Sequence, residues 1–301
     1  MGVEVSLKGK VALVTGAGPN IGSGIALALS RYGAKVACND VREDAAGACA
    51  RRIERHGGEA LVSVGDVTDE GDVERYVAEV LERWGRIDIL VNNAALLGGR
   101  GVLEESLDGF KRAVEVAAVG NFLNTKHVAT SMIEREIKGS IVSILSSNAW
   151  QGAAGVIAYA FHKGGLANFV RAAAMDLAPY GIRVNSFSPT APEPDNPELL
   201  AEWERTGRPR WPDPPADRPA WWRPAGTFDV RGNIPMGAPS TPTDIGHTVA
   251  WMCSDFARLI TGSDFVVDGG ARAKYWGYMP PPDNAGPVPV VPLYDGSEGG
   301  S

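Results

Sequence analysis

Residues 15–26, TGAGPNIGSGIA, are the strongest indication of the fold. The stretch directly follows a short run of β-forming residues, KVALVT (10–15), and it opens a segment whose apolar residues have helical spacing. Glycines at such a strand-to-helix turn let the backbone approach a pyrophosphate, whose charge then meets the amino-terminal end of the helix. The loop therefore predicts a dinucleotide-binding unit of strand, turn and helix.

An acidic residue closes the second predicted strand. KVACND (35–40) ends in Asp40, about where a residue that binds the adenosine ribose belongs. A carboxylate at this position can accept hydrogen bonds from both ribose hydroxyls, and it repels a 2′-phosphate. The loop contains no Lys or Arg, and only Arg42 follows closely, so NAD is favoured over NADP. The alternative is an Asp that is simply solvated at a strand end.

Short hydrophobic runs alternate with segments of helical periodicity along the chain. The runs are 10–15, 35–40, 60–65, 87–92, 140–145 and 182–187, and DFVVDGG (264–270) reads as one more strand. Alternation of this kind implies right-handed crossovers between parallel strands. The predicted fold class is α/β, a Rossmann-type doubly wound parallel sheet of about seven strands with helices on both faces.

Two stretches break this rhythm within a predicted single dinucleotide-binding domain over residues 1–270. Residues 191–233 are rich in proline, and we interpret them as an ordered substrate flap, with a loosely packed surface insertion as the alternative. The flap contains Trp203, Trp211, Trp221 and Trp222. Residues 271–301 are interpreted as a C-terminal extension that is partly disordered.

The composition excludes several classes of protein. A net charge of −7 argues against nucleic acid or an anionic membrane as a partner. The chain has no run of 18 apolar residues and no basic-then-apolar leader, so neither a membrane span nor a signal peptide is expected. The three cysteines suit neither a disulfide framework nor a metal cluster. We therefore expect a cytoplasmic protein with no metal site.

The segment AYAFHK, residues 158–163, places Tyr159 and Lys163 four positions apart, on one face of a helix. A neighbouring positive charge favours phenolate over phenol, which makes a tyrosine usable as an acid or base near neutral pH. The alternative is an amphipathic helix with one polar edge. His162 is expected to point elsewhere on the helix and to be structural.

Taken together, these motifs resemble the short-chain dehydrogenase/reductase family from about Leu7 to Gly270. The resemblance rests on TG-x-x-x-(G)-I-G followed in order by DV (66–67), NNA (92–94), Ser146, Tyr159 and Lys163. It implies that NAD lies against Gly16, Asn20, Ile21, Gly22, Asp40, Asp66, Val67, Asn93, Ala94, Tyr159 and Lys163.

The resemblance also implies a role for each residue. Asp66 and Val67 would grip adenine, while Asn93 and Ala94 would lie along the cofactor. For catalysis it implies Ser146 on the substrate oxygen, Tyr159 as the base, and Lys163 as its activator and a ligand of the nicotinamide ribose. Members of the family are usually tetramers joined through the helices predicted here at 106–138 and 156–180, so a homo-oligomer, tetramer or dimer, is expected.

Several positions depart from the family pattern, and two of them bear on the predicted site. Asn20 stands where glycine is usual, and we expect this to cost little because a short polar side chain tolerates the turn. Ala117 stands where the family usually has an asparagine that carries a water linking the lysine to solvent, and alanine cannot make that bond. Asn121, one turn further on, is a candidate substitute whose direction the sequence does not fix.

Three functions remain open. The first is an NAD-dependent oxidoreductase that interconverts a secondary alcohol and a ketone, and the presence of all three of Ser146, Tyr159 and Lys163 favours it. The second is an NAD-binding protein with little redox turnover, such as a scaffold or partner subunit. The third is non-redox chemistry such as elimination or epimerisation. The flap tryptophans, with Trp150, suggest a bulky apolar or cyclic substrate, although they could equally serve to pack a lid.

Overall fold

The computed structural model describes residues 4–190, 192–195, 197, 200–201 and 234–274. Most of the predicted substrate flap at 191–233, including its four tryptophans, lies outside the described residues. So does the predicted C-terminal extension beyond residue 274.

In the described residues, seven strands form one parallel sheet. They are β1 Val11–Thr15, β2 Lys35–Asp40, β3 Ala60–Val64, β4 Ile89–Asn92, β5 Ser140–Ile144, β6 Arg183–Pro189 and β7 Asp264–Val267. Their order across the sheet is β3-β2-β1-β4-β5-β6-β7, and each neighbouring pair is parallel. The predicted doubly wound parallel sheet is confirmed.

Helices cover both faces of this sheet. They are α1 Ile21–Arg31, α2 Glu43–Arg55, α3 Glu70–Trp84, α4 Leu107–Val114, α5 Gly120–Glu134, α6 Ile157–Leu177 and α7 Pro242–Cys253. Apolar residues of α1, α2 and α7 pack on one face of the sheet, and those of α3, α5 and α6 pack on the other. Because both faces are covered, strands such as β1 are buried at every position.

The helix predicted over 106–138 is divided. A π-helical turn, Glu115–Val119, separates α4 from α5. Single π-helical turns inside longer helices are frequent at functional sites. The turn is followed by Asn121, the second residue of α5, whose Oδ1 accepts from the hydroxyl of Ser143 in β5.

The sheet order also locates the candidate site. β1 has β2 on one side and β4 on the other, so the direction of winding reverses between β1 and β4. Ligands of open parallel sheets bind in the crevice outside the carboxyl ends of the strands at such a reversal. The glycine loop follows β1 and Asn93 follows β4, so both lie at this crevice.

Candidate active site

Two positions of the glycine loop, Gly16 and Gly22, lie too close to their neighbours to carry a side chain. A Cβ atom on Gly16, whose φ is 60°, would lie 2.9 Å from the Cα of Ala94. One on Gly22 would lie 2.0 Å from the carbonyl oxygen of Gly16. These two positions therefore require glycine.

Hydrogen bonds of the Asn93 side chain join the end of β4 to this loop. Its Nδ2 donates to the carbonyl oxygens of Thr15 at 3.2 Å and Gly16 at 2.8 Å. Thr15 Oγ1 in turn accepts from the backbone amides of Asn93, at 3.1 Å, and Ala94, at 3.3 Å. Thr15 is absent from the predicted site residues, and its place at the end of β1, directly before the loop, is the signal that could have identified it.

Asn20, at the start of α1, adopts a conformation that disfavours a side chain. Its φ is 88° and its ψ is −129°, far from the left-handed helical region near φ +57°, ψ +47° in which asparagine is tolerated. The expectation that Asn20 costs little is therefore wrong, because backbone strain of this kind costs on the order of 1–3 kcal/mol. Its Oδ1 is also buried and has no hydrogen-bond partner among the described residues.

Asn20→Gly should therefore stabilise the cofactor-free protein. Relief of strain outweighs the greater freedom of glycine in the unfolded chain, and we expect the free energy of unfolding to rise by about 1 kcal/mol. Chemical denaturation measures this change. Glu136→Gly is the matched comparison. It relieves a positive φ of 53° at an exposed position away from the loop, so it shows how much this relief alone changes the free energy of unfolding. A less stable Asn20→Gly protein would contradict the assignment of strain.

Asp40 at the end of β2 reaches back to the glycine loop. Its Oδ2 accepts from the backbone amide of Gly18 at 3.0 Å, and its Oδ1 accepts from that of Arg42 at 3.0 Å. The Arg42 side chain is exposed and lies 3.8 Å from the carboxylate of Asp44. The negative group thus faces the loop, while the nearby positive group is directed to solvent and to Asp44.

Asp66 is held by groups that the sequence did not indicate. Its Oδ1 accepts from the amide of Thr68 at 2.9 Å and from the Thr68 hydroxyl at 2.8 Å, and Arg112 on α4 donates to its Oδ2 at 2.9 Å. Burial raises the pKa of Asp66, but these hydrogen bonds outweigh it and the net pKa is lowered. The neighbouring Val67 is buried, and its methyl group would lie 2.7 Å from a Cβ on Gly120.

The structure brings Ser146, Tyr159 and Lys163 together. Ser146 follows β5 and begins a short 3-10 turn, in which its Oγ accepts from the amide of Asn148 at 3.2 Å. Its side chain is also close enough to that of Tyr159, in the first turn of α6, to lower the pKa of the phenol. One turn further along, Lys163 Nζ lies 5.5 Å from the centre of the Tyr159 ring.

Burial dominates the electrostatics of this group. It raises the pKa of Tyr159, and the neighbouring Ser146 offsets only part of that rise. It also lowers the pKa of Lys163 to about 7, and Lys163 Nζ donates to the carbonyl oxygen of Ile144 at 2.5 Å. The expectation that Lys163 depresses the pKa of Tyr159 is therefore wrong for the protein groups alone, because the cost of burying a phenolate is the larger effect.

His162 contacts the Tyr159 ring, so the expectation that it points elsewhere is wrong. The two rings meet edge to face with centroids 5.0 Å apart, and His162 Nε2 lies 3.4 Å from the carbonyl oxygen of Leu96. Burial and the charge of Lys163 lower the pKa of His162 to about 4. His162 is neutral at neutral pH and packs against the base.

Two expectations from the sequence concern disulfides and membrane-spanning helices. The three cysteines are buried and free, so none is in a disulfide. None of the helices in the described part of the chain combines the length and apolar character that a bilayer span requires.

Comparison with known proteins identifies the family. Residues 10–205 match the family model described as short chain dehydrogenase, and residues 214–272 match one described as Enoyl-(Acyl carrier protein) reductase. An uncharacterized oxidoreductase of Thermotoga maritima is 32% identical over 270 residues, 89% of this chain and 98% of that protein. The mitochondrial borneol dehydrogenase of Lavandula x intermedia is 34% identical over 266 residues, 88% of this chain and 91% of that protein.

A solved structure supports the same assignment. The 7 alpha-hydroxysteroid dehydrogenase complexed with NADH and 7-oxo glycochenodeoxycholic acid has a TM-score of 0.74 and 28% identity, over 88% of this chain and 95% of that one. The parallel sheet, the glycine loop at its switch point and the grouped serine, tyrosine and lysine agree with these matches. The chain belongs to the short-chain dehydrogenase/reductase family of oxidoreductases.

Proposed function

We propose that this oxidoreductase interconverts a secondary alcohol and a ketone by NAD-dependent hydride transfer. The observation that carries the proposal is the grouping of Ser146, Tyr159 and Lys163 outside the carboxyl ends of the strands, at the edge of the sheet that bears the glycine loop. Alcohol oxidation needs a base for the hydroxyl proton, a donor that orients the oxygen, and a charge that favours the deprotonated base. These three side chains supply the three functions.

We assign the dinucleotide to the crevice between β1 and β4. The close approach of Gly16 and Gly22 to their neighbours supports a backbone cradle for pyrophosphate, which Asn20 and Ile21 would extend at the start of α1. The further residues that would hold the cofactor are Asp40, Asp66, Val67, Asn93, Ala94, Tyr159 and Lys163. Bound NAD would supply the hydride acceptor.

The protein groups account for the proton transfer. Tyr159 takes the hydroxyl proton, and Ser146 donates to the substrate oxygen as negative charge develops on it. Burial works against the phenolate and Ser146 offsets only part of that effect in the cofactor-free protein, so the proposal requires further stabilisation from the charge on Lys163 when the cofactor is bound. Because the pKa of Lys163 is about 7, part of the population carries that charge at neutral pH.

Asp40 is proposed to select NAD. Asp40→Ser removes the negative group that faces the loop, and it should weaken NADH binding about 10- to 100-fold, since a hydrogen bond to a charged group contributes about 1.5–3 kcal/mol. NADPH binding should strengthen because the repulsion of its 2′-phosphate is lost. Fluorescence titration with both nucleotides measures the change. Asp44→Ser, with the same change in net charge at an exposed position, should leave the ratio as it is; a parallel shift there would contradict the assignment.

For the substrate we propose a bulky apolar or cyclic alcohol. Leu96 and Leu97 follow the cofactor segment at Asn93 and remain 43% and 60% exposed, which supports an apolar surface next to the site. Trp150 contributes less to such a surface than the sequence suggests. The guanidinium groups of Arg171 and Arg272 lie over its ring, 5.2 and 5.1 Å from the ring centre. The relatives that act on borneol or bind a 7-oxo bile acid are consistent with such a substrate.

A homo-oligomer, tetramer or dimer, is also proposed. Phe122 on α5 and Phe161 and Met175 on α6 are 51%, 60% and 63% exposed, so both helices carry apolar surface that a partner subunit would bury. Analytical ultracentrifugation of the purified chain should find a dimer or tetramer. A monomer at micromolar concentration would contradict the proposal.

Mixing the purified protein with NAD and a panel of cyclic secondary alcohols tests the reaction class. We expect nicotinamide absorbance to rise in proportion to the ketone formed. NADH binding without turnover on any alcohol would favour a scaffold or partner subunit. Product formed without a change in absorbance would favour elimination or epimerisation.

A further inference from the structure

The position of Lys163 depends on the end of β5. Lys163 is 3% exposed, and the ammonium donates to the carbonyl oxygen of Ile144, the last residue of that strand. The same side chain lies beside the Tyr159 ring. A group that fixes the end of β5 therefore also fixes Lys163 against Tyr159.

Asn121 makes such a connection. It is the second residue of α5 and is 4% exposed. Its Oδ1 accepts from the hydroxyl of Ser143 at 2.8 Å, and its Nδ2 donates to the carbonyl oxygen of Ala117 at 2.7 Å. Ser143 directly precedes Ile144, so one amide side chain joins the π-helical turn to the part of β5 that holds the lysine.

We propose that Asn121 is a positioning residue for Lys163, acting through Ser143 and the Ile144 carbonyl. The inference rests on the reaction proposed above for its catalytic consequence, but the positioning itself is a property of the cofactor-free protein. Both polar ends of the amide are bonded, which gives the side chain one orientation. Its two partners are buried and would lose a hydrogen bond if it were removed.

The consequence for Lys163 has a definite direction. Removing the Asn121 amide loosens the end of β5 and opens space beside it that water can enter, which lessens the burial of the ammonium. Burial is what lowers the pKa of Lys163, so that pKa should rise toward its ordinary value. Tyr159 and His162, the titratable neighbours on α6, both stay neutral near pH 7, because the pKa of Tyr159 is raised and that of His162 is about 4.

The chain contains a matched control one turn along the same helix. Asn124 is also buried, and its Nδ2 donates to the carbonyl oxygen four residues earlier, that of Gly120, at 2.9 Å. Its Oδ1, however, accepts from the hydroxyl of Tyr76 on α3 at 2.6 Å, away from β5. Asn124→Ala therefore reproduces the loss of a buried asparagine without breaking the connection to Ser143.

NMR titration of the cofactor-free protein with ¹³C-labelled lysine side chains tests the proposal, with the Lys163 signal assigned by its loss in Lys163→Met. We expect a midpoint near pH 7 in the parent protein. It should rise by about one pH unit in Asn121→Ala and stay in place in Asn124→Ala. Ser143→Ala, a smaller change that breaks the same hydrogen bond, should also raise the Lys163 midpoint. It replaces Asn121→Ala if that variant does not fold.

An unmoved midpoint in Ser143→Ala, or an equal rise in Asn124→Ala, would overturn the proposal. Neither result depends on turnover, so it is distinguishable from failure of the proposed reaction. Where turnover is measurable, Asn121→Ala should lower kcat and leave KM for the alcohol nearly unchanged, because the residue acts on the base and not on the substrate.

Discussion

Tyr159→Phe is expected to reduce alcohol oxidation about 100- to 10,000-fold, the range that a positioned general base contributes. The ring and its edge-to-face contact with His162 remain, while the hydroxyl beside Ser146 is lost. The loss should appear in kcat and in kcat/KM together, because the missing interaction is made only as the proton moves. Steady-state kinetics on an alcohol that turns over, with NADH binding measured by fluorescence, separates chemistry from cofactor binding.

Tyr180→Phe is the control for this experiment. Tyr180 is 53% exposed in a 3-10 turn after α6 and has no role in the proposed site. It should retain the activity and the NADH affinity of the parent protein. A Tyr159→Phe enzyme that oxidises its alcohol at the parent rate would remove Tyr159 from the chemistry and leave only the dinucleotide-binding fold.

Gly22→Ala should abolish measurable NADH binding and also lower stability. The added methyl group would lie 2.0 Å from the Gly16 carbonyl oxygen and 2.8 Å from Asn93 Nδ2, so the glycine loop and the end of β4 would both have to move. Overpacking of this kind costs about 1–3 kcal/mol in a packed region. We expect the dissociation constant for NADH to rise at least about 100-fold, because the cradle and the start of α1 are displaced together.

Gly165→Ala is the matched control in a helix close to the site. A methyl group there meets nothing within 4 Å, and alanine is favoured over glycine in a helix interior by about 1 kcal/mol. NADH binding should be unchanged and stability slightly higher. If Gly22→Ala bound NADH like Gly165→Ala, the glycine loop would not be the pyrophosphate site.

The fold could be predicted from the sequence because parallel strands that are buried on both faces appear as short runs of apolar residues. Each predicted run overlaps an observed strand, as 35–40 does with β2 and 264–270 does with β7. The α-helix predicted at 156–180 ends at Leu177. A 3-10 turn follows it, in which Pro179 has no backbone N–H to donate. The π-helical turn at 115–119 has no such signal, since its sequence, EVAAV, contains neither proline nor glycine.

The parts of the site that depend on chain order could be predicted from the sequence, and the parts that depend on packing could not. The ends of β1, β2 and β4 meet at one edge of the sheet, so the approach of Asp40 and Asn93 to the loop could be expected. The ion pair between Asp66 and Arg112 joins residues 46 apart, and no local pattern indicates it. The pKa of Tyr159 rises because of burial by the whole fold, which a spacing of four residues does not reveal.

Isotope transfer shows whether the hydride moves from the alcohol to the nucleotide. A secondary alcohol carrying deuterium on its carbinol carbon is incubated with the protein and NAD, and the nucleotide is examined by mass spectrometry. Direct hydride transfer predicts one deuterium in each NADH formed and a matching amount of ketone. Conversion of the alcohol with NAD left unreduced, or reduced without the label, would contradict the account.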